Sequence, residues 1–100
     1  MGTLHLVNHS PERSDALAAC RTVLRPGDGL LLLEDGVLGA TRTALEGLEP
    51  PIPAGIELLV LDADVRARGL AERLHERCRR VDHAGFVAAC VAHDRVLSWT

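Results

Sequence analysis

The chain has 100 residues, 47% of them hydrophobic and 25% charged, a size that supports one folded core and not two. Its formal net charge of −3 and its two aromatics, Phe86 and Trp99, exclude a general attraction to phosphate polymers or anionic lipid and a reader that stacks single-stranded bases. All eleven basic residues are arginine, which excludes Schiff-base chemistry and the lysine of a Walker A loop.

Leu4-His5-Leu6-Val7 reads as a short strand closed by Asn8-His9-Ser10-Pro11. Pro11 suits the first turn of a helix, and Glu12 and Asp15 place negative charge near its positive end. The helix predicted from there presents Leu17, Cys20 and Leu24 on one face, with Ala16 and Val23 alongside, until Arg25-Pro26-Gly27 stops it. Leu30 to Leu33, an apolar run between turn residues, reads as a strand covered on both faces, the habit of a parallel sheet. Glu34-Asp35-Gly36 breaks that run, and a second helix is predicted from Val37 to Leu48. Pro50, Pro51 and Pro53 stiffen the connection to a third strand, Ile56 to Leu61.

Asp62 to Arg68 is predicted as a polar turn, with Gly69 preceding a helix that carries Leu70, Leu74 and Cys78. Val81 marks a short fourth extended segment, and Asp82 caps a helix bearing Phe86, Val87, Cys90 and Val91. Arg95 to Trp99 is the closing strand. This alternation predicts a single α/β domain over residues 1–100: a three-layer sandwich with a mostly parallel sheet of about five strands flanked by helices. Neither a signal peptide nor a bilayer-spanning run is read in the sequence. Cys20, Cys78 and Cys90, odd in number and without a C-x-x-C pair, are read as free thiols of a reducing cytoplasm.

Cys20 is the candidate for chemistry. Its place between Leu17 and Leu24 is equally that of a core thiol, and its late position in the helix denies it the dipole that favours a thiolate. Arg21 and Arg25 stand close enough in sequence to offset part of that. His75-x-x-Cys78 and Cys90-x-x-His93 supply the ligand types of a structural zinc site. Both cysteines fall on apolar stripes, so the expectation is packing, with no metal and no cofactor. The Gly36–Gly39 turn lies beyond a strand's carboxyl end, where open α/β sheets bind ligands. Glu34 and Asp35 would repel a phosphate there, and the turn is read as a plain connection. Arg73, Arg77, Arg79 and Arg80 form the densest positive cluster, read as a solvated helix end with Glu76 four residues before Arg80.

A series of short pieces runs along the whole chain: Leu4-His5 through Asn8, Ser10-Pro11, Pro26-Gly27-Asp28, and Leu30 to Leu33 with Glu34-Asp35-Gly36. Asp64, Ala67-Arg68-Gly69-Leu70, Val81-Asp82, Gly85-Phe86-Val87, His93 and Leu97-Ser98-Trp99 continue it. In this order and spacing the sequence resembles the TusB/DsrH family of small sulfur-relay subunits. The resemblance implies a subunit that joins two sisters, of the TusC/DsrF and TusD/DsrE kinds, in a dimer of heterotrimers. That complex passes persulfide sulfur to a downstream acceptor protein. In the Tus branch the sulfur ends in 2-thiouridine at the tRNA wobble position; in the Dsr branch it serves cytoplasmic dissimilatory sulfur oxidation.

In both branches the resemblance implies that the principal carrying cysteine belongs to the TusD/DsrE-type sister. DsrH-type members have a cysteine at the place of Cys20, where many TusB-type members have an apolar residue. The resemblance therefore brings Cys20 forward as a persulfide carrier, with a non-catalytic assembly subunit as the alternative. As a carrier, the Cys20 thiolate would attack a donor persulfide, take the outer sulfur and yield it to the next thiol, which calls for access and a lowered pKa. No direct contact with nucleic acid or membrane is implied. An apolar face parted from its sisters predicts self-association of the isolated chain.

Overall fold

Leu30, Leu31 and Leu32 sit in β2 (Gly29–Leu32), a strand buried at every residue. Successive side chains of a strand point to opposite faces, so this strand must be covered on both. The computed structural model, which describes residues 2–100, places it at the centre of a five-stranded sheet of order β4-β3-β2-β1-β5. The other strands are β1 (Thr3–Val7), β3 (Glu57–Leu61), β4 (Arg79–Val81) and β5 (Arg95–Trp99). All pairs are parallel, with Leu31 between Leu6 and Leu59 and Leu32 between Val7 and Val60. The predicted α/β fold with a parallel sheet is the fold found.

Val7, Leu30, Leu32, Leu58 and Val60 form one face of the sheet and pack with Leu17, Cys20, Val37, Ala40 and Val65. Those partners come from α1 (Ala16–Arg21), a 3₁₀ helix (Glu34–Ala40) and α3 (Asp62–Ala67), while α2 (Arg42–Glu46) adds the partly buried Leu45. Leu4, Leu31, Leu59 and Val81 form the other face, against Phe86, Ala89 and Cys90 of α4 (His83–Ala92). The connections from β1 through β4 thus run over the first face. The last crosses the second and carries β5 to the far side of β1.

The helices differ from the prediction in extent and place. Pro11 to Arg13 form a turn, with the Ser10 carbonyl accepting from Arg13 and Ser14 N–H, and α1 begins only at Ala16. Thr41 divides the predicted 37–48 helix: its backbone is extended, and its hydroxyl accepts from Ala44 N–H at 3.2 Å to start α2. The predicted polar turn at 62–68 is helix α3, with Asp62 and Asp64 in its first turn and Arg66 in its last, as the helix dipole favours. Gly69 closes this helix rather than preceding one. It takes φ +64°, donates to the Arg66 carbonyl, and lets Leu70 donate to the Val65 carbonyl, the paired bonds of a Schellman stop. The predicted helix beyond it reduces to a 3₁₀ turn, Ala71–Arg73.

Candidate functional site

Cys20 lies on the inward face of α1, fully buried in the core with Val7, Leu17, Leu24 and Leu30. Burial, with a smaller contribution from the negative charge of Asp28, pushes its thiol up to about 12, the opposite of what activates a sulfur nucleophile. Of the two arginines expected to help, Arg21 is turned elsewhere, and neither lowers the thiol. Arg21 donates to the carbonyls of Pro50 and Glu49 at 3.0 and 2.9 Å and ties α1 to the proline connector. A cleft of about 620 Å³ between Pro11, Leu38, Arg42 and Leu70 has no cysteine in its wall.

Beside this core the fold builds a polar network that sequence reasoning missed. Asp28, just before β2, accepts the backbone N–H of Thr3 at 2.9 Å and of Arg25 at 3.1 Å, and faces His5 Nε2 at 3.2 Å. The indole N–H of Trp99 donates to His5 Nδ1 at 3.0 Å. An indole nitrogen can only donate, so Nδ1 is the bare acceptor and Nε2 carries the proton given to Asp28. Burial opposes the charge on Asp28, but the Thr3 and Arg25 amides and His5 together hold its carboxyl below the usual range. These residues are remote in sequence; what joins them is the placement of β5 beside β1, which sets Leu97 against His5.

A second cluster stands at the carboxyl ends of β1, β2 and β3. Glu34 takes φ +51°, its N–H donates to Asp64 Oδ2 at 2.6 Å, and its carboxylate accepts from Asn8 Nδ2 at 3.1 Å. Arg68 bridges Asp35 at 2.9 Å and Asp64 at 3.7 Å, pinning the 3₁₀ helix to α3. A Cβ on Gly36 would stand 2.1 Å from the Val7 carbonyl oxygen, and one on Gly39 would stand 2.8 Å from Leu17. Both glycines therefore serve close packing of this turn on β1 and α1, as a plain connection requires.

The His75/Cys78 and Cys90/His93 pairs are not brought together. Cys78 packs on the α1 side of the sheet and Cys90 on the α4 side, and His75 Nδ1 accepts from Arg77 N–H. Arg73 ends the 3₁₀ turn, but the other three arginines of the cluster are not at a helix end. Arg77 donates to the carbonyls of Ile52, Pro53 and Ile56, Arg79 pairs with Glu57 at 3.0 Å, and Arg80 pairs with Asp62 at 2.5 Å.

A family model described as "DsrH like protein" matches residues 9–96. The chain belongs to the DsrH family. It is 42% identical to Protein TusB of Klebsiella pneumoniae (strain 342), over 96% of this chain and 99% of that one. Protein TusB of Erwinia tasmaniensis is 37% identical and that of Yersinia pestis (strain Pestoides F) 33%, with the same coverage. Among solved structures, the ychN protein from E. coli superposes with a TM-score of 0.73 at 16% identity, covering 99% of this chain and 100% of that one; this likeness concerns the fold.

The pieces that carry the DsrH resemblance now have places. Asn8, Glu34-Asp35-Gly36, Asp64 and Arg68 form the carboxyl-end cluster. His5, Asp28 and Trp99 form the buried network, and Gly69-Leu70 is the stop of α3. Among the described residues, no helix is long and apolar enough to cross a membrane.

Proposed function

We propose that this chain, as one DsrH-type domain, is the assembly subunit of a cytoplasmic sulfur relay, with Cys20 as core packing. The sister subunits are of the TusC/DsrF and TusD/DsrE kinds, joined in a dimer of heterotrimers, and the TusD/DsrE-type sister carries the persulfide. The relay hands its sulfur to a downstream acceptor protein. Relatives named TusB favour the branch that ends in 2-thiouridine of tRNA over the one that serves sulfur oxidation.

The observation that carries this reading is α4. Every residue of this helix after His83 is apolar or glycine, yet none is buried, and Val91 is 80% exposed. A helix without a polar face belongs in an interior, so a partner surface is the environment this sequence suits. Val87 extends the exposed patch along α4, and Val96 of β5, in register with Leu4 of the same sheet face, is exposed as well. Cys20, sealed and with its thiol held neutral, supports the same division of labour.

The test is intact-protein mass spectrometry on the complex rebuilt with its sisters and supplied with a persulfide donor. The expected result is an added sulfur on the TusD/DsrE-type sister alone, unchanged when this chain carries Cys20→Ser. Sulfur on this chain that disappears in Cys20→Ser would make it a carrier and overturn the reading. In parallel, Val91→Arg should prevent assembly.

A further inference from the structure

His5 is held between two partners that place opposite demands on its protonation. Asp28, with a carboxylate that stays ionised below the usual range, favours the imidazolium. Trp99 can only donate to Nδ1, at 3.0 Å, and requires that nitrogen bare. Both demands are met only by the neutral ring protonated on Nε2. A proton from solvent landing on Nδ1 would set two N–H donors face to face. The Trp99 bond would then break, while the contact with Asp28, 3.2 Å from Nε2, would become a full ion pair.

The route for that proton exists. His5 is buried, but it lies at the floor of an open cleft of about 510 Å³ between the 23–28 and 94–97 segments. Among the described residues, the charged groups around this cleft are Arg25 and Asp28 before β2, and Asp94 and Arg95 at the start of β5. Cys20 of α1 lies close enough to feel the charge of Asp28. Trp99 is the anchor that matters on the strand side: the other four residues of β5 are exposed, and Trp99 alone packs against the core.

We propose that His5 is a proton switch for the docking of β5. On acidification it exchanges its bond from Trp99 for an ion pair with Asp28, and β5 loosens at the edge of the sheet. This inference rests on the hydrogen-bond geometry and stands apart from the sulfur-relay reading.

Trp99 is the only tryptophan and the chain has no tyrosine, so the emission comes from the surroundings of this one indole. Emission and the nitrogen NMR signals of His5 would be followed together from about pH 8 to pH 5, a window centred on the ordinary histidine range. The expected result is a red shift of Trp99 that tracks protonation of His5 at Nδ1, absent in His5→Gln. Amide exchange in β5 should rise about tenfold across the same transition, the loss of one hydrogen bond.

Trp99 emission that stays constant while His5 becomes doubly protonated would overturn the proposal. So would a red shift that survives in His5→Gln, or a His5 that stays neutral to the end of the window. Trp99→Phe gives a reading that does not need the His5 variant to fold. Relieved of the donor, His5 should take up its proton at higher pH than in the unmodified chain, and an unmoved midpoint would equally refute the switch.

Discussion

Among the described residues, the sheet packs a core of sixteen buried residues against α1, α2 and α3, whereas against α4 it packs four, and α4 itself has no buried residue. The first face is completed within the chain: arginines tie down its connections, and Thr41 and Gly69 begin and end its short helices. The second face carries an apolar helix with its outer side bare. Hydrophobic composition alone would rate the two alike. They differ in whether the chain supplies its own cover, and on the proposed reading this difference separates the part of the protein that folds from the part that assembles.

The widest gap between the faces should appear on truncating the first core. Leu32, the last residue of the central strand β2 and fully buried on the α1 side, should cost about 2–5 kcal/mol as Leu32→Ala, measured as a shift in urea midpoint. A loss below about 1 kcal/mol would mean that this face is loosely packed and the contrast false.

Asp28 comes next. Asp28→Ala leaves the amides of Thr3 and Arg25 and the Nε2–H of His5 without their acceptor, a loss of about 1–3 kcal/mol. Its pH signature has a fixed sign. The folded chain keeps Asp28 ionised to lower pH than the unfolded chain does. Its contribution is therefore complete above about pH 4 and fades as pH falls through the lowered folded value. Urea unfolding at a series of acidic pH values should show that slope in the unmodified chain and a flatter one in Asp28→Asn.

Cys20 gives the alkaline counterpart. With the folded thiol at about 12 and an ordinary cysteine at 9.0, its contribution is complete below pH 9 and is lost as pH rises toward 12. At neutral pH it should resist an aromatic disulfide reagent until the chain unfolds. Fast modification of Cys20 in the native subunit would remove it from the sealed core.

Gly69→Ala should cost about 1 kcal/mol, because φ +64° places an alanine Cβ in the left-handed region with no new contact to compensate. Thermal unfolding would read it.

These positions also show what was legible in the sequence. The leucine run of β2 was readable because four apolar residues between turn residues leave few alternatives to a doubly covered strand. The charges of 62–68 concealed a helix: two aspartates ahead of two arginines looked like a solvated turn. Yet acids first, arginines last and glycine at the end is the pattern of a helix with a Schellman stop. Cys20 was ambiguous for a physical reason, since a thiol on an apolar helix face has the same spacing whether sealed or open. The His5–Asp28–Trp99 network was not legible. No local pattern marks a bond between residues 94 apart; only the position of β5 beside β1 brings them together.

The smallest effect on stability is the most decisive for the comparison. Val91 is exposed on a helix that the chain leaves uncovered, so Val91→Ser should change the stability of the isolated subunit by no more than about 0.5 kcal/mol. The same change removes apolar surface from the patch that a partner would bury, and should weaken association with the sister subunits and self-association of the isolated chain alike. Sedimentation of both variants, alone and mixed with the sisters, separates the two quantities. If Val91→Ser lowered stability as much as Leu32→Ala, α4 would be part of the folding core and the inequality of the faces would vanish. If it changed neither stability nor association, the bare side of α4 would not be where this subunit meets its partners, and the first face would have to supply that contact instead.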